Sequence, residues 1–230
     1  MGAQWKHKGK QANASARGAA YSKLAKAIIM AAKGGADVAT NAKLRIAVDA
    51  AKKASMPRDT IERSIKKGAG LLDESVSYDI VTFEGFGPHR VPVIVECLTD
   101  NKNRTTPNMR FHFKGQLGAT GSVSWDFAHL GMIDASPPRR RRRRVAAIEA
   151  GAQDLEAGDD GATRFFTEPA DLDAVHQGAH RRRLDRHSAV IGWKAKNPVT
   201  VDDPARAEVE AWLEALDADD DVQRLYVALA

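Results

Sequence analysis

Val93-Ile-Val-Glu-Cys-Leu-Thr-Asp-Asn-Lys-Asn-Arg-Thr105 is the stretch on which the fold turns. Val91, Val93, Val95 and Cys97 alternate with Pro92, Ile94, Glu96 and Leu98, so apolar side chains fall on both faces of an extended segment. Such a strand is covered on each side, or nearly so. Six polar residues, Thr99–Arg104, follow without a break, and Thr105-Thr-Pro107 then reads as a helix opening. Proline's missing N–H would have had no partner in a first helical turn. A buried strand therefore delivers a polar loop onto a helix N-terminus, where unpaired N–H groups attract anions. The same residues also suit a capped turn that holds no ligand.

Outward from this stretch, strands near residues 78–84 and 91–98 flank the turn Gly85-Phe-Gly-Pro88, and a helix spans about 105–115. Val123, Trp125 and Phe127 alternate as in a third strand. Asp202-Asp-Pro204 starts a final helix carrying Val209, Trp212, Leu213 and Leu216, and Val222 to Leu229 closes the chain as a strand. These last elements need a partner sheet, which residues 76–130 offer. Between them lie a strand at Met132–Ala135, a helix near 145–151, strands near 153–157 and 163–167, a helix from Pro169 and a strand near 188–196. That order, βαββαβ, is the ferredoxin-like pattern.

Upstream, Tyr21, Leu24, Ile28 and Ala31 or Ala32 recur at helical spacing until Gly34-Gly35. Leu44, Ala47, Val48 and Ala51 mark a second helix, entered near Thr40-Asn41. A third begins at Pro57, carries Ile61 and Ile65, and stops at Gly68. Residues 1–17 have no apolar period and read as a mobile or partly helical arm. The fold class is α+β: a three-helix N-terminal domain with its arm (1–75), an α/β domain (76–130 plus 202–230), and an inserted βαββαβ domain (131–201). An alanine-rich bundle core predicts close helix packing over modest area.

Three motifs carry a resemblance. Glu96-Cys-Leu-Thr-Asp-Asn-Lys-Asn-Arg-Thr105 resembles the signature loop of the YebC/PmpR family, and Phe83-Glu-Gly-Phe-Gly-Pro88 and Gly121-Ser-Val-Ser-Trp125 are similar to its flanking motifs. The likeness runs from Met1 to Ala230. It implies a three-domain cytoplasmic protein with one α/β domain inserted in another, described in the family as a probable DNA-binding transcriptional regulator. Some members act instead at the ribosome, relieving stalling on proline runs, and a mitochondrial translational activator of cytochrome oxidase is among them.

Charge is split along the chain. The overall formal charge is +5, but residues 1–70 hold 11 Lys and 4 Arg against 4 Asp/Glu, whereas residues 145–230 hold 9 Lys/Arg against 18 Asp/Glu. A basic head on an acidic body attracts polyanions. Trp5 among Lys6, Lys8 and Lys10 pairs a stacking ring with phosphate-neutralising charges, as nucleic-acid binding requires. Arg17, Lys23, Lys66 and Lys67 extend these expected phosphate contacts onto the helices, whose outer faces also hold Lys26, Lys33, Arg45, Lys52, Lys53, Arg58 and Arg63. Asp100, Asn101, Asn103 and Arg104 are expected to close their loop or touch a ligand rather than catalyse, because such side chains commonly bond nearby backbone.

No nucleotide-binding, hydrolase or redox motif is present: there is no GxxxxGK[ST], GxGxxG after a strand, GxSxG or CxxC. The single cysteine, Cys97, reads as a small buried hydrophobe. His176 and His180 stand four apart, but no Glu follows His176 as in a zincin helix, so no metal and no cofactor are expected. No apolar run approaches membrane-spanning length, and Met1-Gly-Ala-Gln-Trp-Lys6 lacks a signal-peptide core. The expected protein is a non-enzymatic cytoplasmic nucleic-acid binder whose partner is DNA or ribosomal RNA.

Two segments depart from the family pattern. Pro137-Pro-Arg-Arg-Arg-Arg-Arg-Arg144 is a basic run where mixed or acidic residues belong; six arginines suit phosphate, but a lone run of this kind more often marks a solvated loop. His176-Gln-Gly-Ala-His-Arg-Arg-Arg-Leu-Asp-Arg-His187 has no apolar stripe where a helix and turn should lie. Codons for it can be chosen so that a one-base shift gives Ser-Thr-Lys-Ala-Leu-Thr-Ala-Ala-Gly-Trp-Thr-Val-Thr, a helix, a glycine stop and a strand. This motivates the hypothesis of a local reading-frame slip, which coding DNA incompatible with the shifted peptide would end.

Overall fold

A computed structural model describes residues 14–72, 77–136, 151–157, 162–172, 174–175 and 185–230. In chain order its elements are α1 (Ala14–Ala32), α2 (Ala42–Lys53), α3 (Arg58–Gly68), β1 (Asp79–Phe86), β2 (Pro92–Thr99), α4 (Lys102–Phe113), β3 (Phe127–Ser136), β4 (Asp154–Ala157), β5 (Thr163–Thr167), β6 (Asp185–Ala195), α5 (Asp203–Asp217) and β7 (Val222–Val227).

Strand β2 is buried along its length except at Glu96, as its two apolar faces require. It is the middle of an antiparallel sheet ordered β1-β2-β7. Val93, Val95 and Cys97 meet Met109 and Phe113 of α4 and Val209, Leu213 and Leu216 of α5. From the other face Ile94 joins Tyr226, Val123 and Phe127, with Trp193 and Ala195 of β6 packed alongside. Sequentially between α4 and α5 comes a second antiparallel sheet, ordered β4-β5-β3-β6. Its second and fourth strands flank the third and first, the strand order of a split βαβ unit. The helix expected near 145–151 falls, apart from Gly151, outside the described residues, as does the arginine run 139–144.

The three N-terminal helices close on Ile28, Leu44, Val48 and Ile61, with Ala32 and Ala51 filling the gaps between backbones. Asn41 joins two of them: its side chain accepts from the Leu44 N–H at 3.1 Å and donates to the Ala31 and Gly35 carbonyls at 2.8 Å each. A cap of this kind contributes about 1 kcal/mol. The packing is as close as the small residues suggest, since a Cβ on Gly68 would lie 2.3 Å from the Ile29 carbonyl oxygen.

Three expectations need correction. The helix after the polar stretch opens at Lys102, capped by Asn101, not at Thr105. Pro107 lies inside it, where it has no N–H to offer the carbonyl of Asn103 one turn back; an exposed site tolerates this because water can take the bond. Residues 123–126 are not a strand, which begins only at Phe127. Ser124–Asp126 form a 3-10 turn, Val123 and Phe127 are buried, and Trp125 points outward, because Glu84 draws the backbone into a tight loop. The separate strands read at 123–127 and 132–135 are replaced by one, β3.

Candidate nucleic-acid interface

The basic side chains of the bundle divide by helix. On α2 and α3, and at the end of α1, Lys33, Arg45, Lys52, Lys53, Arg58, Arg63 and Lys66 are exposed, with Lys67 half-buried. Helix ends explain part of this: Lys52–Lys53 and Lys66–Lys67 occupy last turns, where cations meet the negative end of the helix dipole. Arg17 is on α1, and Trp5, Lys6, Lys8 and Lys10 lie outside the described residues.

Lys23 and Lys26 are the exceptions, and their placement corrects the outward-facing reading. Both face the acidic turn Asp217-Ala-Asp-Asp-Asp221. Lys23 Nζ pairs with Asp217 Oδ1 at 2.9 Å and also donates to the Asp217 carbonyl. Helix α5 has no basic residue in its own last turn, so Lys23 supplies from another helix the cation that this terminus lacks. Lys26, 9% exposed, uses all three of its N–H donors: Leu98 O at 3.2 Å, Asp220 O at 2.8 Å and Asp221 Oδ1 at 2.8 Å. An ammonium so enclosed is tolerable only because every proton has an acceptor.

The polar loop meets the same carboxylate. Arg104 Nη2 donates to Asp221 Oδ1 and Oδ2 at 3.0 and 2.9 Å and to Asp100 Oδ1 at 2.9 Å. Thr105 Oγ1 lies 2.8 Å from Asp221 Oδ2 and 2.7 Å from Thr99 Oγ1, which in turn accepts the Asn101 N–H at 2.9 Å. Burial of Asp221 pushes its carboxyl pKa up, but the bonds from Lys26, Arg104 and Thr105 more than reverse this, and the net value falls below the ordinary one. Asn101 caps α4 by accepting the Arg104 N–H at 3.2 Å, and Asn103 is exposed in the first turn. Of the predicted loop contacts, then, Asp100 and Arg104 tie the loop to Asp221, the carboxylate that also receives Lys26 of the bundle, and Asn101 caps α4, while Asn103 and half of the Arg104 surface remain open to solvent.

A second buried carboxylate explains the flanking motifs. Glu84 accepts three backbone N–H bonds, from Gly121 (2.9 Å), Val123 (3.1 Å) and Ser124 (2.9 Å). Burial raises its pKa, the backbone N–H bonds together lower it by more, and the net shift is downward. Its neighbour must be glycine, since a Cβ on Gly85 would lie 2.6 Å from the Gln116 carbonyl oxygen and 2.8 Å from the Phe113 ring. Spacing alone could not have paired Glu84 with residues 121–124; an acidic residue inside an otherwise apolar strand was the one available signal. Cys97, fully buried, has its thiol pushed up to about 12 by burial, with Asp219 and Asp221 adding to the effect, so it is inert. Among the described residues no group of three or more His, Cys, Asp and Glu could hold a metal, and no helix is long and apolar enough to cross a membrane.

Comparison with known proteins gives a consistent family picture. Residues 2–71 match the TACO1/YebC protein N-terminal domain, and residues 78–229 match the TACO1/YebC second and third domain. A protein of Pseudomonas fluorescens strain Pf-5, named "Probable transcriptional regulatory protein", is 59% identical over the whole of both chains. A relative from Bdellovibrio bacteriovorus with the same kind of name is 46% identical, again over both full lengths. The crystal structure of a conserved hypothetical protein from Aquifex aeolicus superposes with a TM-score of 0.84 at 36% identity, covering 99% of this chain and 96% of that one.

Proposed function

The chain belongs to the TACO1/YebC family, and on that premise we propose that it is a non-enzymatic cytoplasmic regulator of gene expression that binds DNA through phosphate backbones. The observation that carries this reading is the division of the bundle's charges. The body's acidic turn neutralises two lysines of α1, yet Lys52, Lys53 and Lys66 of α2 and α3 stay exposed to water. Exposed like charges repel one another, and a polyanion that meets them relieves that repulsion. Trp5 supplies the stacking contact and Lys6, Lys8, Lys10, Arg17, Lys66 and Lys67 the phosphate contacts, while Lys23 serves docking. Residues 1–75 hold the nucleic acid, and the units 76–130 with 202–230 and 131–201 set its angle. Affinity is mostly electrostatic and salt-dependent, with little direct reading of sequence.

Crosslinking in cells, followed by identification of the bound nucleic acid, tests the reading. Recovery of promoter-proximal duplex DNA, lost in a variant with Lys52, Lys66 and Lys67 changed to Glu, is the expected result. Co-sedimentation with ribosomal subunits and recovery of ribosomal RNA would replace it with the translation-factor alternative. Equal recovery of all nucleic acid by the charge-reversed variant would sink both.

A further inference from the structure

Trp125 is a large aromatic side chain that folding leaves 68% exposed. Its loop has no freedom to turn it inward. Glu84 holds the N–H groups of Gly121, Val123 and Ser124, Val123 on one side is buried, and Asp126 on the other is buried and accepts from Asn197 Nδ2 at 2.6 Å. The indole is itself fixed, since Nε1 donates to the Ser122 carbonyl at 3.0 Å. With the polar edge of the ring satisfied, its π faces are what remains to be used.

The surroundings indicate a use. Lys196 Nζ donates to the backbone carbonyl of Trp125 at 2.8 Å, which fixes a cation at the same residue. The nearby carboxylates are both buried and hydrogen-bonded, Glu84 to the loop backbone and Asp126 to Asn197, so neither stands between the ring and an incoming anion. The preceding residues Gly118-Ala-Thr-Gly-Ser122 are small and polar, which leaves room for a flat group and offers no apolar rim of the sort that surrounds a protein-interface hot spot. A rigid exposed ring, with a cation held at its own backbone carbonyl, matches the pairing that takes up one unpaired base and its phosphate.

The geometry points to Trp125 as a stacking platform for a base of single-stranded nucleic acid, with Lys196 on the neighbouring phosphate. The proposal rests on the nucleic-acid reading above but uses a surface distinct from the bundle's charges. A duplex keeps its bases stacked inside and cannot use the ring, so the platform acts on loops, ends or opened strands.

The full-length chain is titrated with short RNA and DNA oligonucleotides carrying a central 2-aminopurine, single-stranded and annealed to their complements. Wild type is expected to quench the single-stranded probe. Trp125→Ala is expected to weaken single-strand binding roughly 10-fold and abolish the quench, with Trp125→Phe retaining most of both. Duplex affinity and the salt dependence should not move, because every phosphate-binding cation is still in place. If RNA and DNA lose affinity alike, the ring serves either strand; if one alone does, that strand is the ligand. Unchanged single-strand affinity and quench in Trp125→Ala, or an equal loss on duplex, overturns the platform. In either case, a duplex affinity that still falls on reversing Lys66 and Lys67 keeps the bundle reading intact. Wild type binding neither form ends both.

Discussion

Lys26 and Lys66 are the same side chain on packed helices of one bundle, and they end in opposite surroundings. Lys26 is enclosed, with its three donors on Leu98, Asp220 and Asp221. Lys66 is exposed in the last turn of α3. Nothing in the helical periodicity separates them; what differs is the segment opposite. The turn at residues 217–221 brings the side chains of Asp217 and Asp221 and the carbonyl of Asp220 to α1, while Lys66 at the end of α3 stays exposed. The basic bundle therefore has docked lysines on α1 and solvent-exposed ones on α2 and α3. Counting charges along the chain sees only their total.

The largest expected effect comes from removing the shared acceptor. Asp221→Ala leaves Lys26 buried against two carbonyls alone and removes the carboxylate that fixes Arg104 and Thr105. Stranding a buried charge costs about 3–5 kcal/mol, so the midpoint of urea unfolding should fall steeply. Lys26→Met should cost less, because Asp221 keeps Arg104 and Thr105 as partners. A loss below about 1 kcal/mol for Asp221→Ala would mean that bundle and body are held by something other than this lock.

Next in size is the mirror experiment on the open face. Changing Lys52 and Lys66 to Glu should weaken duplex binding and lower stability only by the helix-dipole contribution of each last-turn lysine, about 0.3–1 kcal/mol. The slope of log affinity against log salt should shrink by roughly 0.9 for each phosphate that is no longer neutralised. Lys23→Glu, placed against Asp217, should do the reverse, lowering stability with little effect on that slope. If the two variants behaved alike, the division of labour drawn from burial would fail.

Glu84 gives a pH test of the same principle in the body. Its folded pKa lies below the ordinary glutamate value. The unfolded chain therefore takes up the proton first as pH falls. The stabilisation is full above the ordinary value and drains away as pH drops through the folded one. Glu84→Gln keeps the shape but presents an amide to three backbone N–H groups, and should cost about 1–2 kcal/mol at neutral pH. The variant should also lose less stability than wild type between neutral and acid pH, measured by thermal unfolding. An identical acid slope in the two proteins would assign the sensitivity elsewhere, with Asp221, shifted in the same direction, the next group to test.

How much of this is legible in the sequence follows the range of the physics involved. The doubly buried β2, the Asn41 and Asp202 caps and the glycine stop at Gly34-Gly35 depend on neighbours within a few residues, and the sequence displays them. The partners of Lys23 and Lys26 lie nearly two hundred residues away, so no local pattern could have turned these lysines inward. Trp125 misleads for a related reason. Alternation of Val123, Trp125 and Phe127 imitates a strand, but Glu84 winds the segment into a turn and reverses the face of its middle residue. The polar loop is legible as a turn with a cap, and its ties to Asp221 are not.

The smallest effect concerns the β1–β2 connection, where charge sits on a backbone that disfavours it. His89 (φ 56°) and Arg90 (φ 58°) are both left-handed, and the Val91 N–H donates to the Pro88 carbonyl at 3.3 Å. That is the arrangement of a type I′ hairpin turn, in which Asn-Gly is preferred because each central residue needs positive φ. A side-chain-bearing residue costs roughly 1 kcal/mol at each such position. Two contacts oppose this: His89 Nε2 lies 2.8 Å from Glu208 Oε2, and the Arg90 guanidinium sits 5.7 Å from the centre of the Phe86 ring. Each is solvent-exposed and contributes about 0.5 kcal/mol. The backbone term is the larger, so replacing His89-Arg90 by Asn-Gly should stabilise the protein by about 0.5–1 kcal/mol in urea unfolding. If nucleic-acid affinity is also unchanged, the exposed cations that matter are confined to the bundle. A tighter fold with weaker binding would extend the receiving surface to this hairpin tip, and a weaker fold would show that the Glu208 and Phe86 contacts outweigh the turn.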